Sequence, residues 1–273
     1  MSKVWFNEPL ETVATFWRVE RKDGVTLGFC THDRDLWFDG LLHRAAPGMV
    51  PSAIRRSADL EPDSAEVEGV LSHDAITAED LAIGRFDSAR ITIGLVDWES
   101  LERHAVYCGR LGPVTVEAQG FSAALESRKL ELQRDPIPRT SPTCRAQFCG
   151  PGCTLSGTGF SHEGSLAGFD PQTGLLVLSS PASLADLLGG TLRWLGGPYA
   201  GQSMTIAEVL DGAVLLDQPI DHNPPVGTQV LLREGCDRTL ATCAERFGNA
   251  INFQGEPHLP GNDLITRYPA PAA

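Results

Sequence analysis

The sequence predicts a mainly β protein, with β-rich units leading into a small C-terminal α+β region where four cysteines gather at a metal centre. Three observations carry that expectation. Apolar residues alternate with polar ones in short runs punctuated by Gly, Asp-Gly and Pro, the period-two signal of half-buried strands. Helical patterns are confined to three short pieces. The cysteines Cys144/Cys153 and Cys236/Cys243 form two spaced pairs, each bracketing a small loop, with roughly eighty strand-like residues between them.

Taken in order, residues 13–29 read as a hairpin around Arg21-Lys22-Asp23-Gly24. Residues 36–46 read as a second, with Asp39-Gly40 between Leu36-Trp37-Phe38 and Leu41-Leu42-His43, a strong two-residue turn signal. Thr77-Ala-Glu-Asp80 resembles a capping box that opens a short helix over Leu81-Ala82-Ile83, and Gly84 ends it. Strands are expected at 89–97, 104–111, 113–118 and 121–126, then a charged helical piece over 126–134. These elements make an N-terminal β-rich domain over 1–134.

The stretch 135–143 holds three prolines and reads as a linker that delivers the chain to Cys144. A second β-rich domain spans 144–256 and carries the four-cysteine site. Beyond Gly164 its strands are expected at 173–179, 190–195, 203–210, 213–217 and 228–233. After Cys236 a helix is expected through Ala241–Phe247, closed by Gly248-Asn249. Either 236–243 is all helix, placing Cys236 and Cys243 two turns apart on one face, or a turn at Cys236 leads into a helix that carries Cys243. Residues 257–273 hold four prolines and no apolar periodicity, and read as an extended arm.

A chain of 273 residues with 42% hydrophobic content is long enough for two or three domains with real cores. No stretch approaches the about twenty apolar residues of a membrane span. The start, MSKVWFNEPLETVATFW, has no apolar core of signal-peptide length, so folding inside the cell is expected. The formal charge is −13, and the only lysines are Lys3, Lys22 and Lys129, so no basic footprint for gripping nucleic acid is visible. Such acidity serves solubility, or makes a wall that DNA does not stick to.

The four paired cysteines admit three readings. Disulfides or plain buried thiols are one, and the odd total of seven cysteines fits poorly with a closed disulfide framework. Structural zinc is the second. Its pairs usually stand about two to four residues apart, whereas here eight and six residues intervene. An iron–sulfur cluster is the third, a larger body that ligands on wider loops can reach. Cys149 sits inside the first loop, and Cys30 and Cys108 lie far off on strand-like segments.

Enzyme signatures are absent. The seven histidines, at 32, 43, 73, 104, 162, 222 and 258, show neither HExxH nor paired metal spacing. His32-Asp33-Arg34-Asp35 reads as a turn between two strands. Cys30 and Cys108 carry no local nucleophile signature, and the Gly-Gly-Pro at 196–198 lacks the lysine and helix of a phosphate loop.

Two long runs resemble a known family. They are TFWRVERKDGVTLGFCTHDRDLWFDGLLHRAAPGM with EVEGVLSHDAITAEDLAIGRFDSARITIGLVDW, and the terminal EGCDRTLATCAERFGNAINFQGEPHLPGND. They are similar to the tail hub (baseplate hub) proteins of gene transfer agents and siphophage-like tails, with the minor tail tip protein L of phage lambda as a distant relative. The similarity runs from about residue 10 to Asp263. It implies β-barrel, tube-forming hub domains followed by a small α+β metal-cluster domain. It further implies a homotrimer at the end of the tail tube, between a hexameric distal tail ring and a trimeric tip or fibre protein. A tail-associated cell-wall peptidase is a further candidate neighbour, and DNA passes through without specific binding. Assembly in the cytoplasm and a place at the tail tip follow from the same resemblance.

Carried over position by position, the family's [4Fe-4S] ligands fall on Cys144, Cys153, Cys236 and Cys243. The family has a non-cysteine residue where this chain has Cys149, which leaves a ligand swap in the Gly-Pro-Gly loop open. The run Asn252-Phe-Gln-Gly-Glu256 also departs from the usual pattern. The competing expectation is a zinc-stapled structural or binding module without a redox cluster.

Overall fold

The computed structural model describes residues 12–45, 49–51, 64–70, 76–116, 120–127, 129–132 and 137–259. The chain divides into two compact units, Met1–Asp135 and Pro136–Ala273. Both are built chiefly from β-strands, so the fold is mainly β.

Unit one comprises β1 (Val13–Glu20), β2 (Thr26–Cys30), β3 (Leu36–Phe38), β4 (Leu41–Arg44), β5 (Met49–Pro51), β6 (Ser64–Val70), helix α1 (Ala78–Ala82), β7 (Arg90–Asp97), β8 (Arg103–Val116), β9 (Gly120–Ser127) and helix α2 (Lys129–Leu132). The strands form one nine-stranded sheet in the order β3-β4-β2-β1-β7-β8-β9-β6-β5. Both expected hairpins are present: β1 pairs with β2, and Trp37 faces Leu42 across β3 and β4. Asp39 and Gly40 both take positive φ, 53° and 70°, as a tight hairpin turn of mirror-image type requires. Thr77 caps α1 by accepting a hydrogen bond from Asp80 N at 3.1 Å.

Four expectations for this unit need correction. Among the described residues the sheet ends in β3 and β5 and does not close into a barrel. At its first edge β4 pairs in parallel with β2, and a smaller cluster of Phe16, Phe38, Cys30, Leu36 and Val96 forms in the same unit. The runs 104–111 and 113–118 are one long strand, β8, whose register with β9 shifts between Leu111 and Val114, so Pro113 falls at an irregularity that spares the missing N–H. Among the described residues the helix expected over 126–134 covers Lys129–Leu132, and its expected start belongs to β9, which continues to Ser127. The strands β5 and β6 had no counterpart in the sequence reading. His73 and the arm beyond Leu259 lie outside the described residues.

The main core of this unit joins Trp17, Val19 and Phe29 to Ile91, Ile93, Leu111 and Phe121, with Ile76, Leu81 and Phe86 brought in by the α1 segment. Burial alternates along β1 and β7 because successive side chains point to opposite faces. Beneath α1, the buried Arg21 is held by Asp23 and by Asp80 at 3.2 Å, and its guanidinium lies 5.1 Å from the Phe86 ring centroid. A buried charge needs such pairing.

Unit two contains β10 (Ser161–Phe169), β11 (Leu176–Ser179), helix α3 (Leu184–Leu187), β12 (Thr191–Trp194), β13 (Ser203–Leu210), β14 (Ala213–Leu216), β15 (Gln229–Arg233) and helix α4 (Leu240–Glu245). Its six strands close into a barrel ordered β10-β11-β14-β13-β12-β15. Pairing of Ser161 with Arg233 and of Ser165 with Gln229 closes the ring. Leu166, Leu176, Leu192, Trp194, Ile206, Val230 and Leu232 are all 1% exposed or less. A barrel this narrow is filled by its own side chains. The sequence reading missed β10 and α3, and the cysteine-bearing segments flank this barrel rather than forming a separate α+β domain.

His43 gives unit one a pH signature. The ring is fully buried, stacks on Phe38 at 3.7 Å, and has no hydrogen-bond partner at Nε2. Burial, then the nearby Arg18 charge, lowers its pKa from 6.5 to about 4. Between those values the unfolded chain binds the extra proton, so stability is full above the unfolded pKa and is lost as pH falls through the folded one. Chemical denaturation at pH 6.5 and at pH 4 should show an acid loss about 3 kcal/mol larger in the wild type than in His43→Phe.

Candidate metal centre

The four predicted thiols come from three segments and line one pocket. Cys144, Cys153, Cys236 and Cys243 share it with Ala146, Phe148, Leu155, Arg238, Thr239, Phe247, Asn249 and Asn252. Each segment reaches it for a local reason. Cys153 ends a tight loop in which Cys153 N donates to Gly150 O at 3.1 Å and Gly152 takes φ 86°. Cys236 lies just past β15, and Arg238, at φ 62°, turns its carbonyl to accept from Cys144 N at 2.9 Å. Cys243 rides on α4, whose N-cap Thr239 accepts from Thr242 N at 3.3 Å. Of the two geometries open for 236–243, the turn leading into a helix is the one that forms.

A fourth stretch, at the C-terminal end of the described residues, closes over the first. Arg145 N donates to Gln254 O at 2.8 Å, and Glu256 N to Ser141 O at 2.7 Å. Ser141 N returns a 2.8 Å bond to the Glu256 carboxylate, which also pairs with Arg145 at 2.8 Å. These bonds to Ser141 N and the Arg145 guanidinium hold the Glu256 carboxyl below its ordinary range.

The sulfurs are unbonded to one another and partly hydrogen-bonded. All seven cysteines are free of disulfides. N–H groups point at three of the four sulfurs: Gln254 N to Cys144 Sγ at 3.3 Å, Arg238 N to Cys236 Sγ at 3.4 Å, and Asn249 Nδ2 to Cys153 Sγ at 3.8 Å. Donors so placed would tune a metal held by these sulfurs. The apolar side of the site is a ring cluster in which Phe148 and Phe247 lie 4.8 Å apart and each packs 5.4 Å from Phe160.

Without metal, the thiols disfavour one another's ionisation. Burial raises the Cys243 pKa, and Cys144, Cys236 and Cys153 add to the rise. Burial raises Cys236 as well, with repulsion from Asp237, Cys153 and Cys144, against the bond from Arg238 N. A metal bound by these thiols would displace protons, so its binding would strengthen as pH rises. Among the described residues, no group of three or more His, Cys, Asp or Glu side chains is drawn together tightly enough to hold a single ion.

An ionic clamp ties α4 to the barrel. Glu234 accepts from His162 Nε2 at 2.8 Å and pairs with Arg246, which also meets Asp186 at 3.2 Å. Burial pushes the Glu234 carboxyl up, but His162 and Arg246 more than offset it, and its pKa is lowered. The Arg246 guanidinium lies 4.8 Å from the Phe247 ring centroid, linking this clamp to the pocket wall.

Cys149 does not line the pocket, and its backbone sits at φ 57°. Cys30 is buried in unit one, and Cys108 is exposed. Sequence reasoning missed Asn249, Phe148, Phe247 and Gln254. Gly248-Asn249 carried a signal, but only as a helix stop.

A mainly β chain with a thiol-lined pocket beside a closed barrel is the class of protein that fold and site define, and its relatives are phage and phage-like tail components. The family model described as baseplate hub protein, N-terminal attachment domain, matches residues 4–156. The chain belongs to this baseplate hub family. A second model, described as phage conserved hypothetical protein BR0599, matches residues 187–263. A solved structure titled "Virion of native gene transfer agent (GTA) particle" contains a chain 33% identical over 98% of this chain and 95% of its own length, with a TM-score of 0.80. No curated protein matches. No helix among the described residues is long and apolar enough to cross a membrane.

The crossing beside Cys236 offers a test. At Gly235 a Cβ would overlap Leu188 O and lie 2.6 Å from Gly190 N, so two backbones touch where no side chain fits. Gly235→Ala should push Cys236 out of place, lowering both the melting temperature and metal uptake measured by elemental analysis. Wild-type values for both would contradict this account of the crossing.

Proposed function

We propose that the chain is the structural hub of a gene-transfer-agent-like or phage-like tail tip. In this reading it is a homotrimeric adaptor between a hexameric distal tail ring and a trimeric tip protein, and it carries a [4Fe-4S] cluster on Cys144, Cys153, Cys236 and Cys243. The observation that carries the hub assignment is the 33% identity, over nearly the whole of both chains, to a component of a gene transfer agent virion. Three such chains, each with a sheet unit and a barrel unit, supply six β-rich bodies, a number that can meet a sixfold ring and a threefold tip alike. The −13 charge suits a wall along which DNA slides without sticking. A baseplate hub is a structural virion part rather than an enzyme, and the chemistry assigned here is non-catalytic.

The residues fit the cluster. The four thiols line one pocket together with Phe148, Leu155 and Phe247, and N–H donors meet three of the sulfurs. When bound, the cluster supplies four covalent anchors, and its binding energy becomes folding energy for three chain segments with little secondary structure of their own. The cluster acts here as a staple.

Single serine substitutions at Cys144, Cys153, Cys236 and Cys243 should each abolish or sharply reduce iron retention and lower the melting temperature of oxygen-free protein. Cys149→Ser, Cys30→Ser and Cys108→Ser should retain iron. Loss of iron in Cys149→Ser alone, with Cys153→Ser unaffected, would move the ligand to the neighbouring position. For the hub itself, light scattering should give three times the 29.3 kDa chain mass, and a stable monomer at micromolar concentration would count against the adaptor.

A further inference from the structure

Three hydrogen bonds reach the thiol sulfurs, and two of them come from the backbone. The third comes from a side chain. Asn249 is 6% exposed, and both ends of its amide are engaged. Its Nδ2 donates to Cys153 O at 2.6 Å and faces Cys153 Sγ at 3.8 Å. Its Oδ1 accepts from Asn252 Nδ2 at 2.7 Å, which fixes the amide so that the NH2 group is the end turned toward Cys153. Its own backbone N–H donates to Cys243 O at 2.9 Å.

One residue thus bridges two of the four thiol-bearing positions, Cys153 in the first loop and Cys243 on α4. Asn249 N and Asn252 N also bracket the short turn that carries the chain on to Gln254, the donor to Cys144. A buried amide whose nitrogen and oxygen are both partnered is costly to place without those partners and specific once they are present.

We propose that Asn249 is the positioning residue of the thiol site, setting the Cys153 sulfur and holding the bound group at a higher reduction potential through its side-chain N–H. This rests on the cluster reading above. An N–H aimed at a ligand sulfur stabilises the more negative, reduced state. Removing it therefore lowers the potential. Among the described residues Cys243 Sγ receives no such donor, so the four ligands are unequal, with the Cys153 side under side-chain control.

The test uses the full chain purified and reconstituted without oxygen. Wild type and Asn249→Ala are titrated with dithionite and mediators while the reduced signal is followed by electron paramagnetic resonance. At unchanged iron and sulfide content, Asn249→Ala should shift the oxidised-to-reduced ratio at fixed ambient potential by about tenfold toward oxidised, equal to about 59 mV for one electron. An unchanged midpoint in a fully loaded variant overturns the proposal. Because Asn249→Ala could lose the cluster outright, wild-type protein grown with asparagine labelled with 15N at the side-chain amide provides a second reading. Pulsed resonance should detect a 15N coupling to the reduced cluster, and its absence overturns the proposal as well. A wild type that takes up zinc, or no metal, instead of iron and sulfide defeats the cluster reading itself, and this inference with it.

Discussion

Four thiols drawn around one pocket are the constraint on which the second unit depends. The segments that carry them have little regular structure: a loop held by single turns, a bend after β15 and the short helix α4. A helix of six residues is marginal in water on its own. What fixes these pieces is mutual: Cys144 N bonds to the Arg238 carbonyl, Asn249 bridges Cys153 and Cys243, and Gln254 closes back on Cys144. Such a set of weak links gains most from a body that grips all four sulfurs at once.

The barrel supplies the rigid base. β15 leads straight toward Cys236, and β10 starts eight residues after Cys153, so the ladder that closes the ring also sets the distance between the two halves of the site. Around it the Glu234 clamp ties α4 to the barrel through His162 and Arg246, and the three phenylalanines exclude water from one side of the pocket. Unit one stands apart in its physics. It relies on a conventional apolar core and two buried polar knots, one around Arg21 and one at His43.

Much of this was legible from residues alone. Asp39-Gly40 gave a hairpin turn because both positions take positive φ at low cost. The cysteine pairs stood out through residue type and spacing, which local chemistry determines. What stayed hidden depends on long-range pairing. β10 has a mixed burial pattern, with Leu166 its one fully buried residue, and so gives no clean alternation until β15 and β11 pair with it. The parallel β2–β4 pairing beside β3 is a non-local contact that no turn signal encodes. Asn249 looked like an ordinary helix stop because its partner Cys153 is 96 residues away in sequence.

The most direct test of the central claim is a count of iron, acid-labile sulfide and zinc per chain, with an absorption spectrum, on protein purified without oxygen. The account predicts about four irons and four sulfides per chain and a broad visible band near the brown of thiolate-ligated clusters. One zinc per chain with no sulfide would contradict it, reducing the site to a closed single-ion clamp and removing the cluster from the hub.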